Sequence, residues 1–176
     1  MPAQFFDAID GPAVGIDTTL RMPVRMDPGG QGGMGPKPTG CWIAHRTAWA
    51  AVQLLPGDAF LILEDDAVFA ADWRARVEQA LRDVPADWDV LFVGSCCAGG
   101  RSQRRVQGQV YEVRWPQCLH AYVVRRKALG MMIATTDGAR ATTPIDISLI
   151  DHTWPHLRVY TILPRVVEQR DTVIPP

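Results

Sequence analysis

Apolar and polar positions follow two distinct patterns along this chain. Short apolar runs predict strands at residues 60–63, 88–94, 120–124 and 157–163. A more alternating pattern predicts an edge strand at residues 111–115. Apolar residues at helical spacing predict helices at residues 41–55, 71–84 and 125–135, and Pro144 opens a further short helix. Strands separated by helices of this length indicate βαβ units. We therefore expect an α/β layer sandwich with a mostly parallel sheet, in which residues 60–63 are buried on both faces.

Length and composition fit one domain that spans residues 1–176, since 47% of the residues are hydrophobic. Residues 11–40 are rich in glycine and proline, which predicts a flexible loop that acts as a lid or a linker. This loop lacks the Gly-Lys-Ser/Thr sequence of a phosphate-binding P-loop.

Charge and cysteine content narrow the class of protein. A net charge of -1 argues against a nucleic-acid partner. No apolar run approaches the ~20 residues that span a bilayer, and no signal peptide precedes the first motifs. The cysteines form no CxxC pair, and no histidine stands at zinc-ligand spacing; they are Cys41, Cys96, Cys97 and Cys118. These features predict a reduced, cytoplasmic protein, with peripheral association at the inner face of the membrane left open.

Three consecutive acids, Glu64, Asp65 and Asp66, follow the strand predicted at residues 60–63. Two unit charges about 5 Å apart repel by about 1–3 kcal/mol, so the cluster requires a cation, a hydrogen-bond network or a protonated member. Ligands of open α/β sheets bind outside the carboxyl ends of strands. The cluster therefore predicts either a divalent metal site or an acidic loop in water.

Six short motifs follow one another between residues 4 and 169. They are Gly40-Cys41-x-x-Ala44-His45-x-x-x-Trp49, residues 61–66, residues 89–94, residues 120–124, Pro144-Ile145-Asp146 and residues 164–169. In this order they resemble glycosyltransferase family 25, which includes bacterial lipopolysaccharide galactosyltransferases and collagen-modifying domains. The resemblance implies a GT-A-like nucleotide-binding fold, an α/β/α sandwich in which the acid cluster takes the part of the DxD metal motif.

The resemblance also implies a reaction. A sugar, with galactose as one option, would move from a nucleotide-sugar donor, by preference a UDP-sugar, to a glycan or lipid-linked saccharide such as lipopolysaccharide. A Mn²⁺ or Mg²⁺ ion would neutralise the leaving nucleoside diphosphate. Such ions need only one or two carboxylates when phosphates complete the shell. We expect Asp66 and Glu64 as the ligands, on one side of an extended chain, and Asp65 closer to the ribose.

Transfer with inversion needs a base for the acceptor hydroxyl, and Asp146 at the start of a predicted helix is the candidate, ahead of Asp151. The alternative for Asp146 is an acid that only stabilises the helix N-terminus. Four further side chains are expected to contact the nucleotide-sugar: His45, His120, Gln169 and Arg170. Packing in the core is the alternative for the two histidines, and a solvated position for Arg170.

Two features depart from the family pattern. Members usually open with a Val-Ile-Asn-Leu strand and an Arg-rich turn ahead of the segment that resembles residues 5–11, and this sequence begins almost at that segment. Ala44 stands where serine is common. A donor site that lacks its first strand would be completed by another segment or a partner chain, or the activity would differ. The chain is then either a metal-dependent glycosyltransferase, a non-catalytic GT-A-like binding module or, less in keeping with its few ligands, a hydrolase of phosphorylated sugars.

Overall fold

The computed structural model describes residues 36–96, 103–137 and 143–170. These residues form four α-helices and eight strands, and a 3₁₀ turn at Trp154–His156 precedes the seventh strand. In chain order the elements are α1 (Pro36–Gln53), β1 (Ala59–Leu63), β2 (Ala67–Phe69), α2 (Trp73–Asp83), β3 (Val90–Gly94), β4 (Gln103–Gln107), β5 (Val110–Val113), β6 (Ala121–Arg125), α3 (Arg126–Thr135), α4 (Ile145–His152), β7 (Val159–Ile162) and β8 (Val167–Gln169).

Six strands form a mixed sheet in the order β1-β6-β3-β7-β5-β4, while β2 and β8 pair separately. Only β3 and β7 are parallel, and the other neighbours in the large sheet are antiparallel. The prediction of a mostly parallel sheet is therefore wrong for the described residues. A strand buried on both faces has the same apolar pattern in either direction, and the tight β4–β5 hairpin, with Gly108 at a φ of 51°, can only be antiparallel.

The predicted βαβ unit is present in modified form. Strands β1 and β3 run in the same direction because both are antiparallel to β6, which lies between them. Strand β7 is parallel to β3. The carboxyl ends of all three strands therefore lie at one edge of the sheet, where α/β proteins place their ligands.

The sheet is covered by helices on both faces. Along β3, Val90 and Phe92 pack on one face with residues of α1, α3 and α4, whereas Leu91 and Val93 pack on the other with residues of α2. This is the period-2 alternation of a strand that is buried on both sides. The α/β layer sandwich predicted from the sequence is confirmed. Within the described residues, no helix is long and apolar enough to cross a membrane.

Three local predictions are corrected. Strand β1 is not buried on both faces: Ile62 packs in the core, but Leu61 and Leu63 are 40% and 42% exposed because β1 is at the sheet edge. Strand β5 is internal, and β4 forms the edge. Residues 36–40 of the predicted loop begin α1, while residues 11–35 lie outside the described residues. The short strands β2, β4 and β8 were not predicted, since two of them are only three residues long.

A buried acid next to β3 has a structural role. Asp89 is 8% exposed, and its Oδ1 lies 2.8 Å from Lys127 Nζ on α3. Its Oδ2 accepts a hydrogen bond of 2.8 Å from the backbone N–H of Arg158. These partners balance the charge, so Asp89 fixes the start of β3 against α3 and β7.

We expect Gly94→Ala to lower the free energy of unfolding by about 1–3 kcal/mol, because the added Cβ would collide with the His120 ring and the Val167 carbonyl. Gly130→Ala is the matched control. Its Cβ meets nothing within 4 Å and lies within α3, so stability should rise by up to about 1 kcal/mol. Urea unfolding measures both variants. Equal stability of Gly94→Ala and the unmodified protein would contradict the packing described at the end of β3.

Candidate functional site

A cleft of about 210 Å³ opens where α1, the end of β1, the start of α4 and β8 meet. Polar and apolar side chains share its wall. The lining residues are Pro38, Cys41, Glu64, Cys118, Leu119, Pro144, Ile145, Asp146 and Gln169. Three predicted site residues, Glu64, Asp146 and Gln169, are therefore brought together although more than 100 positions separate the first and last in the sequence.

Glu64 is fixed in this wall by α1. Its Oε1 accepts a hydrogen bond of 3.0 Å from His45 Nε2. The Cys41 sulfur lies 3.9 Å from the same oxygen. The backbone N–H of Glu64 donates to the carbonyl of His120 at 2.9 Å. Burial acts to raise the pKa of Glu64, but the hydrogen bond and charge of His45, with a smaller effect of His120, outweigh it and lower the pKa. Glu64 is thus an ionised carboxylate at neutral pH.

His45 is the centre of a buried hydrogen-bond chain. It is 5% exposed, and its Nδ1 lies 3.1 Å from the Tyr122 hydroxyl, which also accepts a hydrogen bond of 2.7 Å from Trp49 Nε1. In the neutral ring, Nε2 donates to Glu64 and Nδ1 accepts from Tyr122. His45 therefore reaches the cleft only through Glu64.

Cys41 faces the same carboxylate one helical turn before His45. Burial, followed by the negative charges of Glu64 and Asp146, raises the pKa of the Cys41 thiol to about 12. The thiol is protonated at neutral pH and can donate to Glu64. Among the described residues, Cys41, His45 and Glu64 form one of two groups whose three possible metal-binding atoms all lie within 4.8 Å of one another.

The chain turns at Asp65 and Asp66, between β1 and β2, instead of remaining extended as the prediction for Glu64 and Asp66 assumed. Asp66 Oδ2 accepts a hydrogen bond of 3.2 Å from Gln169 Nε2, and the Asp66 carbonyl accepts one of 2.9 Å from the Arg170 N–H. Asp66 Oδ1 is buried and has no hydrogen-bond partner among the described residues. Asp65 is exposed. The three acids do not form one converging group of ligands.

Asp146 occupies the first turn of α4 and faces the cleft. Its Oδ1 accepts a hydrogen bond of 2.9 Å from the backbone N–H of Ile147, and its Oδ2 accepts one of 3.1 Å from that of Cys118. The position near a helix N-terminus also favours a negative charge. Both interpretations made from the sequence fit this geometry, since the carboxylate stabilises the helix and is open to the cleft.

The other three residues predicted to contact the nucleotide-sugar differ in their exposure to solvent. His120 is 1% exposed, and its Nε2 lies 3.3 Å from the Val167 carbonyl, so it packs in the core and does not line the cleft. Gln169 lines the cleft beside Asp66. Arg170 is exposed, and its guanidinium lies 3.4 Å from the Asp65 carbonyl.

Comparison with known proteins finds relatives with consistent names. The chain is 28% identical over 101 residues to "Glycosyltransferase 25 family member" of Aedes aegypti, a match covering 53% of this chain and 17% of that protein. It is 26% identical over 110 residues to "Inactive glycosyltransferase 25 family member 3" of Homo sapiens, covering 58% and 18%. It is 24% identical over 99 residues to "Procollagen galactosyltransferase 1" of Danio rerio, covering 52% and 16%.

The resemblance to glycosyltransferase family 25 is confirmed. The matches span less than a fifth of the length of these three curated relatives. No family model matches the chain.

Two cysteines of the chain form a bond that the sequence did not reveal. Cys96 and Cys118 are joined by a disulfide with a Cα–Cα distance of 5.5 Å. The prediction of reduced cysteines is wrong for this pair, because 22 positions separate its members and only the fold brings them together. Cys97 lies outside the described residues. Cys118, in the cleft wall, adopts a positive φ of 62°.

Cys41 and Tyr122 were also missed as site residues. A signal for Cys41 was present, since Cys41 and His45 are four residues apart and therefore share one face of a helix. Tyr122 carried no signal, because only the packing of β6 against α1 places its hydroxyl beside His45.

We expect stability to depend on the ionisation of Glu64. Because its pKa is lower in the folded protein than its ordinary value of 4.5, the carboxylate stabilises the fold above that value. This contribution is lost as the pH falls through the lowered pKa. Glu64→Gln should therefore be less stable than the unmodified protein at pH 7, and the difference should narrow below about pH 4.5.

Urea unfolding at several pH values from 7 to 3 measures this difference. Glu78→Gln on the exposed side of α2 serves as the control and should change stability little at any pH. A difference for Glu64→Gln that stays constant over this range would contradict the role of the carboxylate charge.

Proposed function

We propose that the chain forms the core of a GT-A-like glycosyltransferase that moves a sugar from a nucleotide-sugar donor to a glycan acceptor. The observation that carries this proposal is the cleft, which gathers Glu64, Asp146 and Gln169 at the edge where β1, β3 and β7 end. These residues belong to three of the motifs that resemble the family. The names of the relatives support the same class of reaction.

Within the acid cluster, Asp66 Oδ1 is the atom best suited to bind a divalent cation. Asp66 Oδ1 is buried without a hydrogen-bond partner among the described residues, which leaves a carboxylate oxygen available to a cation. Oxygen is the ligand that Mn²⁺ and Mg²⁺ prefer. Asp66 would be the main ligand of the ion and Glu64 the second ligand, while Asp65, which is exposed, would contact the ribose. When bound, the ion would supply positive charge for the leaving diphosphate.

Asp146 is the proposed base. It faces the cleft as a carboxylate that two backbone N–H groups hold in place. In an inverting transfer, Asp146 Oδ2 would accept the proton of the acceptor hydroxyl while that oxygen bonds to the anomeric carbon. The bond from the anomeric carbon to the phosphate oxygen breaks, and the nucleoside diphosphate leaves with the electron pair. Gln169 would bind the diphosphate or the sugar from the wall of the cleft, with Arg170 at its rim.

The substrates and location are parts of the same proposal. A UDP-sugar is the proposed donor, with galactose supported by the name of the Danio rerio relative. The acceptor is a glycan or a lipid-linked saccharide, as in lipopolysaccharide synthesis. A cytoplasmic location, with association at the inner face of the membrane left open, was expected from the sequence. The Cys96–Cys118 disulfide weighs against it, because cytosolic reductants keep most thiols reduced.

A non-catalytic binding module is the second candidate. The name of the Homo sapiens relative, which begins with "Inactive", favours it. The engagement of Glu64 by His45 also favours it, because a carboxylate already satisfied by the protein is a weaker ligand for a metal. Such a module would keep the fold and the cleft without metal-dependent nucleotide binding.

We expect UDP to bind only with Mn²⁺ present, and Asp66→Ala to weaken that binding by more than about tenfold, about 1.4 kcal/mol. Isothermal titration calorimetry measures the affinity. Asp58→Ala is the control, because it removes an exposed acid at the opposite end of β1 and should leave the affinity unchanged. The absence of Mn²⁺-dependent heat with UDP, GDP and their sugars would favour the binding module.

We expect Asp146→Asn to reduce sugar transfer by about 10²–10⁴-fold and to leave UDP binding unchanged, because the amide cannot accept a proton. Asp151→Asn, an exposed acid further along the same helix, is the control and should retain transfer. The release of UDP from UDP-galactose with a panel of oligosaccharide acceptors measures both variants. Full transfer by Asp146→Asn would restrict this residue to the helix-stabilising role.

A further inference from the structure

Three different donor atoms meet beside the cleft. Cys41, His45 and Glu64 offer sulfur, nitrogen and oxygen within 4.8 Å of one another. The first two lie four residues apart on α1 and so on one face of the helix, and the third follows the end of β1. Cys41 is not part of a disulfide. Glu64, which follows the end of β1, thus adds a third possible ligand to the Cys-x-x-x-His pair on α1.

The distances suit a small tetrahedral ion. His45 Nε2 and Cys41 Sγ lie 3.0 Å and 3.9 Å from Glu64 Oε1. With ordinary zinc–ligand bonds, a tetrahedral site has N···O and S···O separations of about 3.3 and 3.5 Å. Each observed distance is within about 0.4 Å of these values, so rotations of the side chains suffice to admit the ion.

The chemistry of the donors selects the class of cation. Thiolate and imidazole are ligands for zinc and similar transition-metal ions, whereas Mg²⁺ and Mn²⁺ favour oxygen. Asp146 contributes negative charge near Cys41, as its effect on the thiol shows. A bound cation in turn deprotonates a coordinating thiol.

We propose that Cys41, His45 and Glu64 form a binding site for Zn²⁺ or a cation of the same class. Cys41 and Glu64 line the cleft, so the fourth coordination position faces the cleft and is open to water or to an oxygen ligand. The site does not depend on the proposed glycosyl transfer. It shares Glu64 with the proposed Mn²⁺ or Mg²⁺ site but not Asp66.

The surroundings of His45 supply the support that metal-binding histidines usually have. With Nε2 on the ion, the proton of the neutral ring is on Nδ1, which donates to the Tyr122 oxygen 3.1 Å away. That oxygen has two lone pairs, and it accepts from Trp49 as well. Binding the ion therefore changes the tautomer of His45. The Tyr122 proton loses its acceptor in this change. The affinity for the metal should therefore be lower than that of a site whose histidine already has the metal-bound tautomer before the ion binds.

Titration with Co²⁺ alone tests the site, because Co²⁺ takes zinc positions and its spectrum reports its ligands. The unmodified chain should develop the visible bands of tetrahedral cobalt and a near-ultraviolet thiolate-to-cobalt band, at one equivalent, and Zn²⁺ should bleach both. Cys41→Ser should lose the thiolate band. His45→Gln should bind at least about tenfold more weakly. The double variant Cys96→Ser/Cys118→Ser is the control and should keep the band, since its cysteines belong to the other converging group.

Two results would overturn the proposal: no thiolate band in the unmodified chain, or a band that survives Cys41→Ser. Circular dichroism checks that each variant folds. If Cys41→Ser does not fold, alkylation of the unmodified chain provides the test, since Zn²⁺ should slow the modification of Cys41 identified by mass spectrometry. An unchanged rate would then refute the site. Asp66→Ala separates the two metal proposals, because it should lose Mn²⁺-dependent UDP binding and keep the cobalt band.

Discussion

The hydrogen bond from His45 to Glu64 is the interaction on which the site depends. At 3.0 Å, it joins the middle of α1 to the residue that ends β1, and the Tyr122–Trp49 pair behind it holds the imidazole from the core. A carboxylate at the end of an edge strand would otherwise turn to solvent. Because both partners are largely withdrawn from water, the bond is strong enough to lower the pKa of Glu64 in spite of burial.

The insertion of β6 between β1 and β3 gives the cleft its composition. Both outer strands end at the edge where β6 begins, so Cys118 and Leu119, just before β6, enter the wall beside Glu64. Cys118 then donates its backbone N–H to Asp146, and the disulfide to Cys96 fixes this segment to the end of β3. The proposed base is thus oriented by a strand pairing that is remote from it in the sequence.

The two proposed cation sites share Glu64. One adds Asp66, whose buried Oδ1 has no hydrogen-bond partner among the described residues and suits hard ions, and the other adds the sulfur of Cys41 and the nitrogen of His45. The names of the relatives include both transferases and proteins called inactive, so resemblance to them does not decide between activity and binding. What decides is which partner Glu64 takes when a cation and a nucleotide are present.

The sequence alone determined the α/β class, the positions of the main helices and strands, and the acids at the end of β1, because burial and helical period are local properties of the chain. It also carried the family motifs. Strand direction, the Cys96–Cys118 bond and the turn at Asp65 and Asp66 were decided only by the tertiary structure. An apolar run has the same pattern in either direction, and a turn after β1 replaces the extended chain predicted for Glu64 and Asp66. Cys41, His45 and Glu64 meet for two reasons: the four-residue spacing in the sequence puts the first two on one face of α1, and the tertiary fold places the end of β1 beside that face.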